Sequence, residues 1–151
     1  MNIEEVNSAS GMNKFIRFPW KVYQGNPNWV PPLVSEVKYI LSEKNPFFQH
    51  SEAACFLARR NGDIVGRIAA IIDRNYINIH NEQAGFFGYF ECLPDCAVAR
   101  ELLDAAAGWL KERHIEIMRG PVNPSTNDEC GFLLEGFDSP PMIMMTYTPA
   151  Y

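Results

Sequence analysis

The segment ACFLARRNGDIVGRIAAIID, Ala54–Asp73, decides the reading of the chain. Two runs rich in β-forming residues, Ala54–Arg60 and Ile64–Asp73, flank Asn61-Gly62. That pair supplies the positive φ angles of a type I′ turn, so the segment reads as an antiparallel hairpin. In Ile64–Ile72 both alternating faces are largely apolar. A strand with that pattern is covered on both sides and sits in the middle of its sheet.

Outward from the hairpin, helices and strands alternate. Met12–Tyr23 is helical, with Pro19 opening a second short turn because its ring cannot sit inside an unbroken helix. Asn26–Pro32 holds three prolines and reads as an extended loop carrying Trp29. Leu33, Val37, Ile40 and Leu41 share one face of a helix running to about Glu43. Ala84–Cys92 is a third strand, and its Gly85 and Gly88 suggest a bulge or the close approach of another backbone. Asp95 caps a long helix whose apolar stripe is Val98, Leu102, Leu103, Ala106, Trp109 and Leu110. Ile115–Arg119 follows as a fourth strand. Ser125-x-x-Asp128 and Thr126-x-x-Glu129 have capping-box spacing, predicting a short helix to about Glu135. Met142–Tyr147 reads as a last strand.

Bulk properties narrow the function classes. The 151 residues suffice for one α/β domain, and 47% hydrophobic content supplies its core. A net charge of -5 without a basic block argues against nucleic acid as a partner. No apolar run approaches the ~20 residues of a membrane span, and the polar, acidic start is unlike a secretion signal. The four cysteines and three histidines have no metal-ligand spacing, so no metal is expected and a cytoplasmic location is.

The order of elements, with three local matches, resembles the GNAT acyltransferase superfamily. FLARRNGDIVGRIAAIID is similar to its second and third strands, Leu102-Leu103 to the leucine pair of its long helix, and Glu135-Gly136-Phe137 to its Gly-Phe turn. More narrowly, GPVNPSTNDECGFLLEGF resembles a longer GNAT-like subgroup with a G-P-x-N-x-S-x-N-x-E stretch. The resemblance implies a mixed, mainly antiparallel sheet flanked by helices, lacking the last strand. Residues 1–151 would be one domain, the N-terminal part of a longer protein. It also implies acetyl-CoA or another acyl-CoA as co-substrate, entering where the strand before the long helix splays from the strand after it. A small-molecule amine would be the acceptor, and a following domain or a second copy a possible packing partner.

Carried over residue by residue, the donor site falls on Glu91, Cys92 and Leu93 at the third strand's end and on Ala97, Val98 and Ala99 at the helix start. A helix N-terminus offers unpaired N–H groups to a pyrophosphate. Here Ala97 stands where the superfamily has glycine, Pro94 contributes no donor, and Asp95 adds a negative charge, which predicts a weak pyrophosphate loop. Glu91 is the general-base candidate; the competing reading makes it a partner of Arg67. The superfamily's tyrosine acid falls on Gly131-Phe132 and is absent, with Tyr89 and Tyr147 as replacements. Asn123, Ser125, Asn127, Asp128 and Glu129 would line the acceptor side, or else serve as helix-capping and turn residues. Three hypotheses result: an acyl-CoA N-acyltransferase, a non-catalytic GNAT-like module, and an acyl transferase that draws on a carrier protein.

Overall fold

The computed structural model describes residues 1–142, 147 and 148. Its centre is a five-stranded sheet in the order β1 (Asn2–Glu5), β2 (Ser51–Arg60), β3 (Asp63–Asp73), β4 (Ala84–Cys92), β5 (Ile117–Arg119). The first four pair antiparallel, and β4 pairs parallel to β5. The β2–β3 hairpin turns at Asn61 and Gly62, both with positive φ (52° and 90°), as the Asn-Gly pair requires.

Alternation on β2 and β3 divides the core into two layers. Ala54, Phe56, Ala58, Ile68, Ala70 and Ile72 face α5 (Cys96–Lys111), meeting its Val98, Leu102, Ala106, Trp109 and Leu110. Cys55, Leu57, Ala69 and Ile71 face the opposite layer, where α1 (Ala9–Arg17) contributes Phe15 and Ile16, and α3 (Val34–Ile40) contributes Val37. All of Val65–Ile72 is buried, so the expectation of a central strand covered on both faces holds. The two longer helices start at polar caps. Ser8 accepts from the Gly11 N–H for α1, and Asp95 accepts from the Ala97 N–H for α5. Pro19 opens α2 (Pro19–Val22) as expected.

Four elements differ from expectation. β1 was not foreseen: its residues are polar, and pairing with β2 holds it as an edge strand. Neither was α4 (Arg74–His80), which buries only Ile77 and is capped by Asp73. The helix expected from Ser125 to Glu135 does not form. Ser125 Oγ bonds the Asp128 carboxylate, while Glu129 and Cys130 form a strand, β7, pairing with β6 (Val122–Asn123). The fourth strand is shorter than expected, because Ile115 turns into the core before the strand begins. The last expected strand, Met142–Tyr147, falls largely on residues outside those described.

β5 pairs with β4 only across Ala84–Phe86 and then departs. After Gly120 the chain crosses β4 at Gly88, where an added Cβ would lie 1.7 Å from the Val122 carbonyl oxygen. Only glycine fits beneath that backbone. On the other side β3 and β4 shift register between Arg67 and Ala69, and Tyr89 adopts φ 49°, so the β4 bulge lies directly beyond the crossing.

Replacing Gly88 by alanine should therefore destabilise the fold by ~2–3 kcal/mol or more, since backbone cannot yield as a side chain can. Gly108 in α5 has open space around its Cβ position, and Gly108→Ala should stabilise by about 0.4–1 kcal/mol. Urea unfolding of the two variants beside the parent checks both signs.

Candidate functional site

A cleft of about 540 Å³ opens between the α1–α3 layer and the departing end of the sheet. Arg67 forms its floor. This buried guanidinium bonds Glu91 Oε2 through Nε at 2.6 Å and the Phe15 carbonyl oxygen through Nη1 at 2.9 Å. It also lies 5.0 Å from the Phe15 ring centroid and 5.6 Å from that of Tyr89. β3 and β4 place Arg67 directly opposite Glu91 in register. Of the two readings for Glu91, the geometry brings about the partnership with Arg67, and the carboxylate still lines the cleft.

Asp128, Glu129 and Glu36 also face this space. Four carboxylates and one cation, already paired, make the cleft acidic. Glu129 stands at the solvent-facing mouth. Loss of hydration raises its carboxyl above the ordinary carboxylate range; a hydrogen bond with Asn123 pulls it back, and the charges of Glu91, Asp128 and Glu36 push it up. The walls are apolar and aromatic: Ile16, Pro19, Trp29, Val30, Val37 and Ile40 among them. Trp29 stacks on Tyr23 with centroids 4.9 Å apart and meets Trp20 edge-on at 5.3 Å, so it is both packed and cleft-lining.

The acceptor-side candidates separate. Asn123 lines the cleft and its Oδ1 accepts from the Tyr89 N–H at 2.6 Å, holding the bulge. Ser125 braces Asp128 at 2.6 Å, and Asn127 is exposed, its N–H donating to Ser125 Oγ. Tyr147 hydroxyl donates to the Phe137 carbonyl and accepts from Asn26, which places it on the cleft wall. Tyr89 is buried beside Arg67, and burial raises its hydroxyl well above the ordinary range. Arg67 and Glu36 were the contributors that sequence reasoning did not assign to the site, whereas Asp128 and Glu129 were among the loop residues expected on its acceptor side. Arg67 alone had a visible signal, its place opposite Glu91.

The donor-side candidates lie at the end of β4 and the start of α5. Cys92 and Val98 are buried in the core, and desolvation pushes the Cys92 thiol up to about 11, so no reactive thiolate forms there. Leu93 and Ala99 are partly buried against the same core, and Ala97 is exposed. At the helix start Asp95 already accepts from Ala97 and Val98 and pairs with Arg60 at 2.8 Å. A pyrophosphate placed there would meet a carboxylate instead of free N–H groups, so these residues do not fit that group. Among the described residues no three histidine, cysteine or acidic side chains could hold a metal, and no helix is long and apolar enough to cross a membrane.

Truncating Arg67 would leave Glu91 buried without its partner. Arg67→Met should cost about 3–5 kcal/mol, and pairing it with Glu91→Leu should recover much of that loss. Chemical denaturation of the two single variants and the double variant measures the coupling.

No protein-family model matches the chain. It is 39% identical over 140 residues to Protein YghO of Escherichia coli (strain K12), covering 93% of this chain and 36% of that one. To the Bacterial ceramide synthase of Caulobacter vibrioides it is 39% identical over 153 residues, covering 100% of this chain and 40% of that protein. The chain thus spans less than half the length of the curated relatives it matches. Among solved structures, a GNAT-family acetyltransferase of Staphylococcus aureus Mu50 superposes with TM-score 0.56 at 18% identity, covering 81% of this chain and 73% of that one. An aminoglycoside acetyltransferase from a soil metagenome gives 0.54 at 16% identity, over 78% and 74%. The ribosomal-protein-alanine N-acetyltransferase of Brucella melitensis gives 0.56 at 12%, over 80% and 74%. With a mainly antiparallel five-stranded sheet between helices, a β4–β5 splay and these neighbours, the chain has a GNAT-like fold.

Proposed function

We propose that the protein is an N-acyltransferase that joins an acyl group, delivered as a thioester, to a primary amine carried on an apolar chain. The observation that carries this reading is the acidic cleft beside the β4 bulge, with apolar walls leading away from it. Carboxylates attract an ammonium group and then need one member able to take its proton, while the walls accept a hydrocarbon tail. The relative named Bacterial ceramide synthase supports the choice of acceptor, a ceramide being an amide of a fatty acid and a long-chain amino alcohol.

In this reaction the amine nitrogen attacks the thioester carbonyl carbon, forming the C–N bond. The C–S bond then breaks, releasing a thiol and the amide. Glu129 takes the amine proton, its raised carboxyl pKa bringing it nearer the working pH. Glu91, fixed by Arg67, contributes negative charge that holds the ammonium before deprotonation. In this reading Tyr147, on the cleft wall, gives the departing sulfur its proton, its hydroxyl turning from the Phe137 carbonyl to do so. Trp29 and the prolines beside it cover the acceptor's chain and exclude water.

Incubation with sphinganine and a palmitoyl thioester should give the amide, followed by mass spectrometry. Glu129→Gln should lower turnover at least about 10²-fold and flatten the pH profile, which in the parent rises with pH through the raised Glu129 pKa. Absence of amide with every thioester donor would overturn the enzymatic reading and favour the non-catalytic module. Wild-type turnover in Glu129→Gln would remove that residue from the base role. Stability moves the other way. A carboxyl whose folded-state pKa is raised contributes stability at low pH that is lost as pH rises from the unfolded value through the folded one. Glu129→Gln should therefore melt higher than the parent at neutral pH, the gap closing on acidification toward about 4.

A further inference from the structure

On the flank of α1–α2 away from the cleft, Ser10, Lys14, Arg17 and Lys21 fall at i, i+4, i+7 and i+11 and form one helical stripe. They line a second, open hollow with Arg59, Gly62 and Asp63 of the β2–β3 turn. Lys14, Arg17 and Lys21 are exposed, and among the described residues none makes an ion pair; Lys21 Nζ donates to the Ile64 carbonyl. Arg59 is neutralised by Glu4 at 2.6 Å. With Arg59 paired, three cations face one carboxylate, Asp63, so this hollow stays net positive on a chain of net charge -5 and suits an anionic partner.

Its position says which partner. Arg60, beside the turn, reaches Asp95 at the start of α5, and the Leu93 N–H donates to the Val65 carbonyl. The basic hollow, the end of β4 and the start of α5 therefore share one end of the sheet. In the acyl-transfer reading the thioester donor enters at that end, where Asp95 caps the N–H groups that a pyrophosphate would use. We propose that the acyl donor is an acidic acyl carrier protein docked on Lys14, Arg17 and Lys21, its phosphopantetheine arm reaching the cleft. The inference rests on the acyl-transfer reading and names its donor. A carrier protein puts its negative charge on its own helices, so it needs the basic stripe and not a pyrophosphate loop. An anionic membrane is the less favoured occupant, because none of the exposed large apolar side chains lies in this hollow.

The test uses a bacterial acyl carrier protein loaded with palmitate, fluorescently labelled for titration and unlabelled for turnover. Lys14→Glu/Arg17→Glu is compared with Lys38→Glu/Lys44→Glu, an equal charge change at exposed positions elsewhere. The expected result is salt-sensitive carrier binding, weakened about tenfold or more only in the first pair, with a matching rise in KM for the carrier. With palmitoyl-pantetheine, which has no carrier, both pairs should turn over like the parent. Equal carrier affinity in both pairs would overturn the proposal, as would a lower KM for palmitoyl-CoA than for the palmitoylated carrier. So would loss of phosphatidylglycerol-vesicle binding in the first pair while carrier binding persists. Failure of every donor to give amide would sink the acyl-transfer reading, whereas the titration reads docking independently of turnover.

Discussion

Arg67 ties the two halves of this molecule together. Its guanidinium is buried in the middle of β3, where a cation survives only if its hydrogen-bonding directions are met. Glu91 on the neighbouring strand meets one, and the backbone carbonyl of Phe15 in α1 meets another, with the rings of Phe15 and Tyr89 packed around it. The helical layer is thereby positioned against the sheet by a directional polar contact as well as by apolar packing. The same contact forms the cleft floor, so the geometry of the site and the docking of α1 are one constraint.

Around that floor the polarity is distributed by depth. The Arg67–Glu91 pair is the deepest element, and Glu129 stands at the mouth, where its environment disfavours the charged form. One carboxylate is thus locked into an ion pair and another is left available for proton transfer. Separation of like groups by environment is how a single site can both hold a cation and deprotonate it. The start of α5 shows the opposite arrangement: the Asp95 side chain accepts from the Ala97 N–H and pairs with Arg60, putting a carboxylate where an anion would approach.

Much of this could be read from the chain. The Asn61-Gly62 turn, the doubly apolar β3 and the Asp95-capped α5 are local signals, and each arose where expected. The Arg67–Glu91 pairing was one of two readings of opposite charges on successive strands, and the β3–β4 register decides it. β1 carried no such signal, since four polar residues at a chain start become a strand only when β2 offers an edge. α4 did carry one, the Asp73 cap, but its asparagines and β-branched isoleucines concealed the helix. The segment after Asn123 misled because capping-box spacing describes side-chain reach, and the side chains here bond one another in turns. Glu129 reaches the cleft through that irregular path, which no periodicity encodes.

The crossing of the chain over Gly88 also bears on how this site can change. There one backbone rests on another with no side chain between them to enlarge or trim. Selection therefore has little purchase on the aperture beside the bulge. In the acyl-transfer reading, variation in the molecules accepted falls to the opposite wall, where Trp29, Val30, Val37 and Ile40 line the cleft from a proline-rich loop and a short helix. Relatives with other substrates would then differ in that wall while keeping a glycine at the crossing, which makes the pair of positions a readable record of divergence.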